Sequence, residues 1–137
     1  MERLGSITSN YYHQSAAVAL VYSIDEHNSL TNLRCWIEDA ERYAKGAKKF
    51  LIGNKVDLEK ERMQVEESTA LSFARNNEIT DSCVFRVSAK TGEGVHVMFK
   101  SIAQQLMEHA KPTLQSDDVF HIHTAGEEKN KQKGCSC

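Results

Sequence analysis

Residues 50–60 read Phe50-Leu51-Ile52-Gly53-Asn54-Lys55-Val56-Asp57-Leu58-Glu59-Lys60. A short apolar run closes on a glycine and gives way at once to the polar quartet Asn54-Lys55-Val56-Asp57. Such a run, bounded by a turn signal, reads as a buried strand. A polar quartet directly after it stands at the strand's carboxyl end, the edge where open α/β sheets hold their ligands.

Upstream, residues 17–24 read Ala-Val-Ala-Leu-Val-Tyr-Ser-Ile. Their length and branched side chains predict a strand covered on both faces, as in parallel sheets. Asn28-Ser29 offers an N-cap, and Leu30, Leu33, Ile37, Ala40 and Ala44 recur at steps of three and four, as in an amphipathic helix. Gly46 is the expected stop. Downstream, residues 65–74 place Ala70, Phe73 and Ala74 on one helical face, residues 83–87 form a third strand, and Val95, Phe99, Ile102 and Leu106 mark a third helix. Strand and helix alternate three times, which predicts an α/β fold of parallel βαβ units with right-handed crossovers.

The chain has 137 residues, 40% of them apolar and 26% charged, which suits one globular domain. The formal net charge of −2 makes no electrostatic case for nucleic acid. No apolar run reaches the roughly 20 residues of a membrane span. Of four cysteines, Cys35 and Cys83 lie in apolar segments and are expected to be buried thiols, while Cys135 and Cys137 end the sequence. No C-x-x-C pair is present, and a reducing, cytosolic setting fits this usage. Trp36 is expected in the core, and the six histidines show no metal-ligand spacing. From residue 111 onward periodicity ends and polar residues dominate, which divides the chain into a domain at 1–110 and a flexible tail at 111–137.

Two motifs at strand ends carry the chemistry. Guanine offers two adjacent donors along its N1 and N2 edge, and a carboxylate accepts both; adenine has no such pair. Asp57 in that place selects guanine, because a wrong base leaves a desolvated carboxylate unpaired. Ser88-Ala89-Lys90 follows the third strand, where a backbone N–H can meet the guanine O6. Asn-Lys-Val-Asp alone is also an ordinary polar turn; two motifs in this order, each behind a strand with one helix between, are far more specific.

Together, Asn54, Lys55 and Asp57 with Ser88, Ala89 and Lys90 resemble the guanine-binding motifs of small GTPases, and the chain resembles the Rab family from end to end. Residues 2–12, with Tyr11-Tyr12, are similar to that family's switch II, where Ile7 and Tyr11 match effector-docking positions. Trp36 matches the tryptophan of the following helix, and Cys135-Ser136-Cys137 matches the Rab Cys-x-Cys prenylation signal. The resemblance implies GTP or GDP as ligand and geranylgeranyl groups on Cys135 and Cys137. It also implies escort and GDP-dissociation-inhibitor-type proteins and effectors as partners, in the cytosol and on the cytoplasmic face of intracellular membranes. Two lipid chains anchor stably where one does not, and Lys129, Lys131 and Lys133 add attraction to anionic lipid.

The departures are as informative. No glycine is followed by lysine, so the G-x-x-x-x-G-K-[ST] phosphate loop is missing from these residues. The resemblance starts at switch II, so the Mg²⁺ ligands and the water-orienting glutamine have no counterpart, and Met1 stands at the glutamine position. Thr124-Ala125-Gly126 echoes another family motif but lies in the tail, behind the base motifs. Ser23 replaces a family aspartate, His13-Gln14 an Arg-Gly, and Arg86-Val87 a Glu-Thr. The fold expected is therefore the C-terminal half of a small-GTPase parallel sheet with flanking helices, without the first strands. That half-sheet would be metastable, with the strand at 17–24 as an open apolar edge. The function expected is a Rab-like guanine-nucleotide switch in membrane traffic, with this stretch reading the base, binding nucleotide weakly, having no catalytic residue or metal site, and not hydrolysing GTP alone. The alternative is a non-catalytic, prenylated membrane-binding module or a competitor for Rab-handling proteins.

Overall fold

The computed structural model describes residue 12, residues 15–58 and residues 60–109. Ile7, Tyr11, Cys135, Cys137 and the expected tail at 111–137 lie outside the described residues.

Among the described residues three parallel strands form a sheet, in the order β1 (Ala17–Ser23), β2 (Lys48–Asn54), β3 (Val84–Val87). Between β1 and β2 run two helices, α1 (His27–Thr31) and α2 (Leu33–Tyr43); α3 (Glu67–Asn76) links β2 to β3, and α4 (Val95–His109) follows β3. The alternation read from the sequence is the alternation observed, and each crossover supplies the helix that a parallel pair requires. β2 is the central strand, and Phe50, Leu51 and Ile52 are all buried, as a strand covered on both faces demands.

β1 does not meet the same expectation. Val18, Leu20 and Tyr22 are buried, but Ala19 is exposed and Val21 is 51% exposed. One face packs on α1 and α2, and the other faces outward. A continuous apolar run carries no alternation from which a single covered face could be read.

The helix expected from Leu30 to Ala44 is broken at Asn32 into α1 and α2, while its apolar stripe holds: Leu30, Leu33, Ile37, Ala40 and Ala44 are all buried. Asn28-Ser29 is not the cap. α1 starts at His27 behind Glu26, and the Ser29 hydroxyl oxygen instead accepts the Ser23 N–H at 2.8 Å, pinning the helix to the end of β1. Gly46 takes φ +83° just beyond α2, the left-handed stop that only glycine adopts without strain. Trp36 and Cys35 are exposed, contrary to expectation, since Leu33, Ile37 and Ala40 take the inward face and leave 35 and 36 outside. Trp36 instead lines a groove of about 190 Å³ with Tyr12, Leu33 and residues 18–21 of β1. Cys83 is buried as expected.

On α4 the inward position is Met98, packed on Ile52 and Val87, rather than Phe99, which is 63% exposed. Val95, Phe99, Ile102 and Leu106 and the set with Met98 in place of Phe99 both satisfy helical spacing; contact with the sheet decides between them. At the centre, Gly53 is paired with Tyr22 in register. A β-carbon there would stand 2.6 Å from the Tyr22 hydroxyl oxygen, so glycine is what allows the buried tyrosine to lie across β2.

Candidate guanine-base site

The register places Ser23, Asn54 and Val87 side by side at the carboxyl ends of the three strands. The segments that follow, at 24–25, 55–57 and 88–90, therefore emerge along one edge of the sheet. The Ile24 N–H donates to the Asn54 carbonyl at 3.1 Å and the Val56 N–H to the Val87 carbonyl at 3.2 Å, which extends the ladder past the strand ends and fixes the loops relative to each other.

Asn54 is the staple. Its Oδ1 accepts the Lys55 N–H at 2.8 Å and the Ala89 N–H at 2.9 Å, across 35 residues of sequence. Lys55 takes φ +75°, a conformation in which a non-glycine residue is strained and which recurs at functional loops. The Leu58 N–H closes the turn on the Lys55 carbonyl at 3.1 Å. That turn presents Asp57, half-buried, to β3's loop, where the fully buried Ser88 donates its hydroxyl to Asp57 Oδ1 at 2.6 Å.

Ser88 organises its own loop as well. Its hydroxyl oxygen accepts the Thr91 N–H at 3.1 Å, its carbonyl the Gly92 N–H at 2.8 Å, and its N–H donates to the Glu93 carbonyl at 2.9 Å. Gly92 and Gly94 take φ +84° and +72°, and a β-carbon at Gly94 would stand 2.8 Å from the Arg86 carbonyl oxygen. This compact loop leads directly into α4, whose Met98 N–H bonds the Gly94 carbonyl at 2.9 Å.

All six residues of the two motifs are thus gathered at one strand edge. Of the backbone N–H groups expected to offer a donor for guanine O6, that of Ala89 is directed to Asn54 Oδ1. The backbone N–H of Lys90 makes no hydrogen bond among the described residues. Ser23 and Asp25 were missed as members of the site. The Ser23 hydroxyl donates to Asp25 Oδ1, and both oxygens of Asp25 accept from the Lys55 ammonium at 3.1 Å. The available signal was a polar Ser-x-Asp immediately behind an apolar strand. Ser23, where the resemblance expects an aspartate, is a brace for an acid two residues further on.

The electrostatics follow from these contacts. The Ser88 hydroxyl, with lesser help from the charges of Lys90 and Lys55, holds the Asp57 carboxyl below its ordinary range against a smaller desolvation penalty. Ser23 and then Lys55 do the same for Asp25, and Arg75, at 2.5 Å from Asp81 through Nη2, does so for Asp81. A carboxyl with a depressed folded value contributes stability that is present above its unfolded value and lost as pH falls through the folded one. Between pH 7 and 5 these three groups are therefore expected to leave stability level, and below about pH 4 to lower it progressively. Urea midpoints at pH 7, 5, 4 and 3 check this; a midpoint that rose on acidification below 4 would contradict it. Among the described residues no group of three or more His, Cys, Asp or Glu side chains is arranged to hold a metal ion.

The model of the Ras family matches residues 1–108. Ras-related protein RABE1e of Arabidopsis thaliana is 29% identical over 136 residues, covering 98% of this chain and 61% of the relative. Ras-related protein Rab-1D of Dictyostelium discoideum is 31% identical over 134 residues, 97% of this chain and 64% of the relative. GTP-binding protein YPT1 of Saccharomyces cerevisiae is 29% identical over 143 residues, 99% of this chain and 68% of the relative. The chain thus spans about three-fifths to two-thirds of the length of these curated relatives.

Proposed function

Since the chain belongs to the Ras family and is Rab-like within it, we propose that this stretch is the guanine-reading half of a nucleotide switch in membrane traffic. The observation that carries the reading is the pair of cross-links between motifs: Ser88 Oγ to Asp57 Oδ1 at 2.6 Å and the Ala89 N–H to Asn54 Oδ1 at 2.9 Å. They hold an ionised carboxylate steady at a strand edge before any ligand arrives, which is what selective binding of a two-donor edge requires. Asp57 accepts from guanine N1 and N2, Ser88 orients Asp57, Asn54 ties the two loops together, and the Lys90 N–H is the donor available for O6. The Lys55 stem borders the base.

Phosphate recognition is a separate task, and these 137 residues hold no glycine-rich phosphate loop. Affinity of this chain therefore comes from the base alone, and GTP hydrolysis by it stays near the uncatalysed rate, since phosphoryl transfer is catalysed through phosphate contacts. The prenylated Cys135 and Cys137, effector contacts through Ile7 and Tyr11, and Rab escort or GDP-dissociation-inhibitor-type partners belong to the same proposal, supported by the Cys-x-Cys ending and the Rab-like relatives.

The test is a nuclear magnetic resonance titration of the 137-residue chain with guanosine 5′-monophosphate and, separately, adenosine 5′-monophosphate. Guanosine monophosphate is expected to shift the amides of residues 54–57 and 88–90 at millimolar concentration, with little response to the adenine nucleotide. Equal responses to both, or shifts that avoid these loops, would sink the reading. Turnover of GTP at the rate of a full-length relative would refute the part concerning hydrolysis.

A further inference from the structure

Asp57 works as a base reader only while its carboxylate is open to the base, and two ammonium groups act on it, Lys55 from its own loop and Lys90 from the β3 loop. Lys55 is two residues away, on a flexible stem, and an internal Lys55–Asp57 pair would occupy the acceptor oxygens that guanine needs. In the structure that pair does not form: among the described residues no cation forms an ion pair with Asp57. Lys55 is instead held by both oxygens of Asp25 at 3.1 Å each. Asp25 is itself fixed, since Ser23 donates to it and the Ile24 carbonyl between them accepts the N–H groups of Gln64 and Val65 at 2.8 and 3.0 Å. The Asp25 side chain is 23% exposed and the Lys55 side chain 49%, so the anchor is the more buried partner.

We propose that Asp25 is a positioning residue of the base site, which holds the Lys55 ammonium toward the end of β1 and so keeps the Asp57 carboxylate open to guanine instead of closed by an internal ion pair. The inference rests on the reading of Asp57 as the guanine acceptor. Its physical content is competition. When Asp25 is neutral, Lys55 loses the charge attraction that holds it there, and Asp57, on whose carboxyl the Lys55 charge already acts, becomes the competing partner. A partly exposed ion pair is a weak competitor, so the effect is a handful-fold change in affinity and not an abolition.

The experiment uses the full 137-residue chain and four forms of it: unaltered, Asp25→Asn, Lys55→Met, and both together. Two readouts are taken by nuclear magnetic resonance: affinity for guanosine 5′-monophosphate, and the acid titration of the Asp57 carboxyl carbon without ligand. Lys90 and Ser88 are the same in all four, so their influence on Asp57 cancels in the comparison. Asp25→Asn is expected to weaken nucleotide binding about fivefold, the size of one partly exposed pair, and to move the Asp57 titration to lower pH as Lys55 arrives. In the Lys55→Met background the same substitution is expected to change neither readout, and Asp25→Glu, which keeps the charge, to stay within about twofold of the unaltered chain.

The proposal is overturned if Asp25→Asn acts equally with and without the lysine, which would make Asp25 a structural residue only. It is also overturned if the Asp57 titration does not move. Should the folded, unaltered chain bind no guanine nucleotide at all, the base-site reading fails, and the ligand-free titration still shows whether Asp25 keeps Lys55 off Asp57.

Discussion

Asp57→Ala is expected to abolish the preference for guanosine over adenosine monophosphate. In the proposed reading the side chain supplies both acceptors for the N1–N2 edge, and hydrogen bonds to a charged group are worth about 1.5–3 kcal/mol each. Losing two therefore weakens guanine binding by about a hundredfold or more, which for a base-only ligand means loss of any titratable signal. Adenine binding, which never used those acceptors, is expected to stay as weak as before. Alanine also strips Ser88 of its partner, so a loosened loop could imitate the result. Asp57→Asn separates the two causes. The amide oxygen can still accept from Ser88, but the side chain now carries donors, which oppose the guanine 2-amino group. A xanthine base has an oxygen at that position and is complementary to the amide. Asp57→Asn is therefore expected to lose guanosine monophosphate and gain xanthosine monophosphate in the same titration. If the asparagine variant kept its guanine preference, Asp57 would not be the base reader.

Where the sequence spoke clearly, it did so because two independent patterns agreed. β2 was legible from its apolar run and from the polar quartet behind it, and the three strand ends are adjacent because parallel strands joined by crossovers share one carboxyl edge. The helical stripe from Leu30 to Ala44 survived the break at Asn32, since burial follows the face and not the continuity of hydrogen bonds. What was illegible depended on tertiary contact. β1 has the composition of a doubly covered strand, yet Ala19 and Val21 face outward, because coverage belongs to the neighbouring elements and not to the strand. Met98 and Phe99 are adjacent and equally apolar, and only packing against Ile52 and Val87 chose between them. At the candidate site, residue types singled out the two motifs that the fold brings together, but the fate of individual donors was beyond them. The Ala89 N–H serves Asn54, and Lys55 serves Asp25, through contacts that span 35 and 30 residues. The switch-II-like segment and the Cys-x-Cys ending rest on the resemblance, since they lie outside the described residues.

Phe50→Ala is the substitution expected to cost the most stability. Phe50 is fully buried in the central strand and packs against Phe85 of β3 with ring centroids 6.3 Å apart, so it couples two of the three strands. Truncating a buried phenylalanine removes its transfer free energy and leaves a cavity, for about 3–5 kcal/mol. Small domains have about 5–15 kcal/mol in total, and a three-stranded sheet whose outer strand shows one apolar face to solvent belongs near the bottom of that range. The variant is therefore expected either to be unfolded at 25 °C or to melt at least about 12 °C below the unaltered chain. Trp36→Ala is the matched control. It removes a larger side chain that is half exposed, and a shift of only a few degrees is expected. The consequence reaches the site, because β2 ends at Asn54, the residue that joins both base motifs; a β2 seated loosely delivers Asn54 and Asp57 at the wrong depth. Thermal melting by circular dichroism compares the three chains. If Phe50→Ala melted no lower than Trp36→Ala, β2 would not be the core of the domain, and the strand order that brings Asn54 against Ala89 would be wrong.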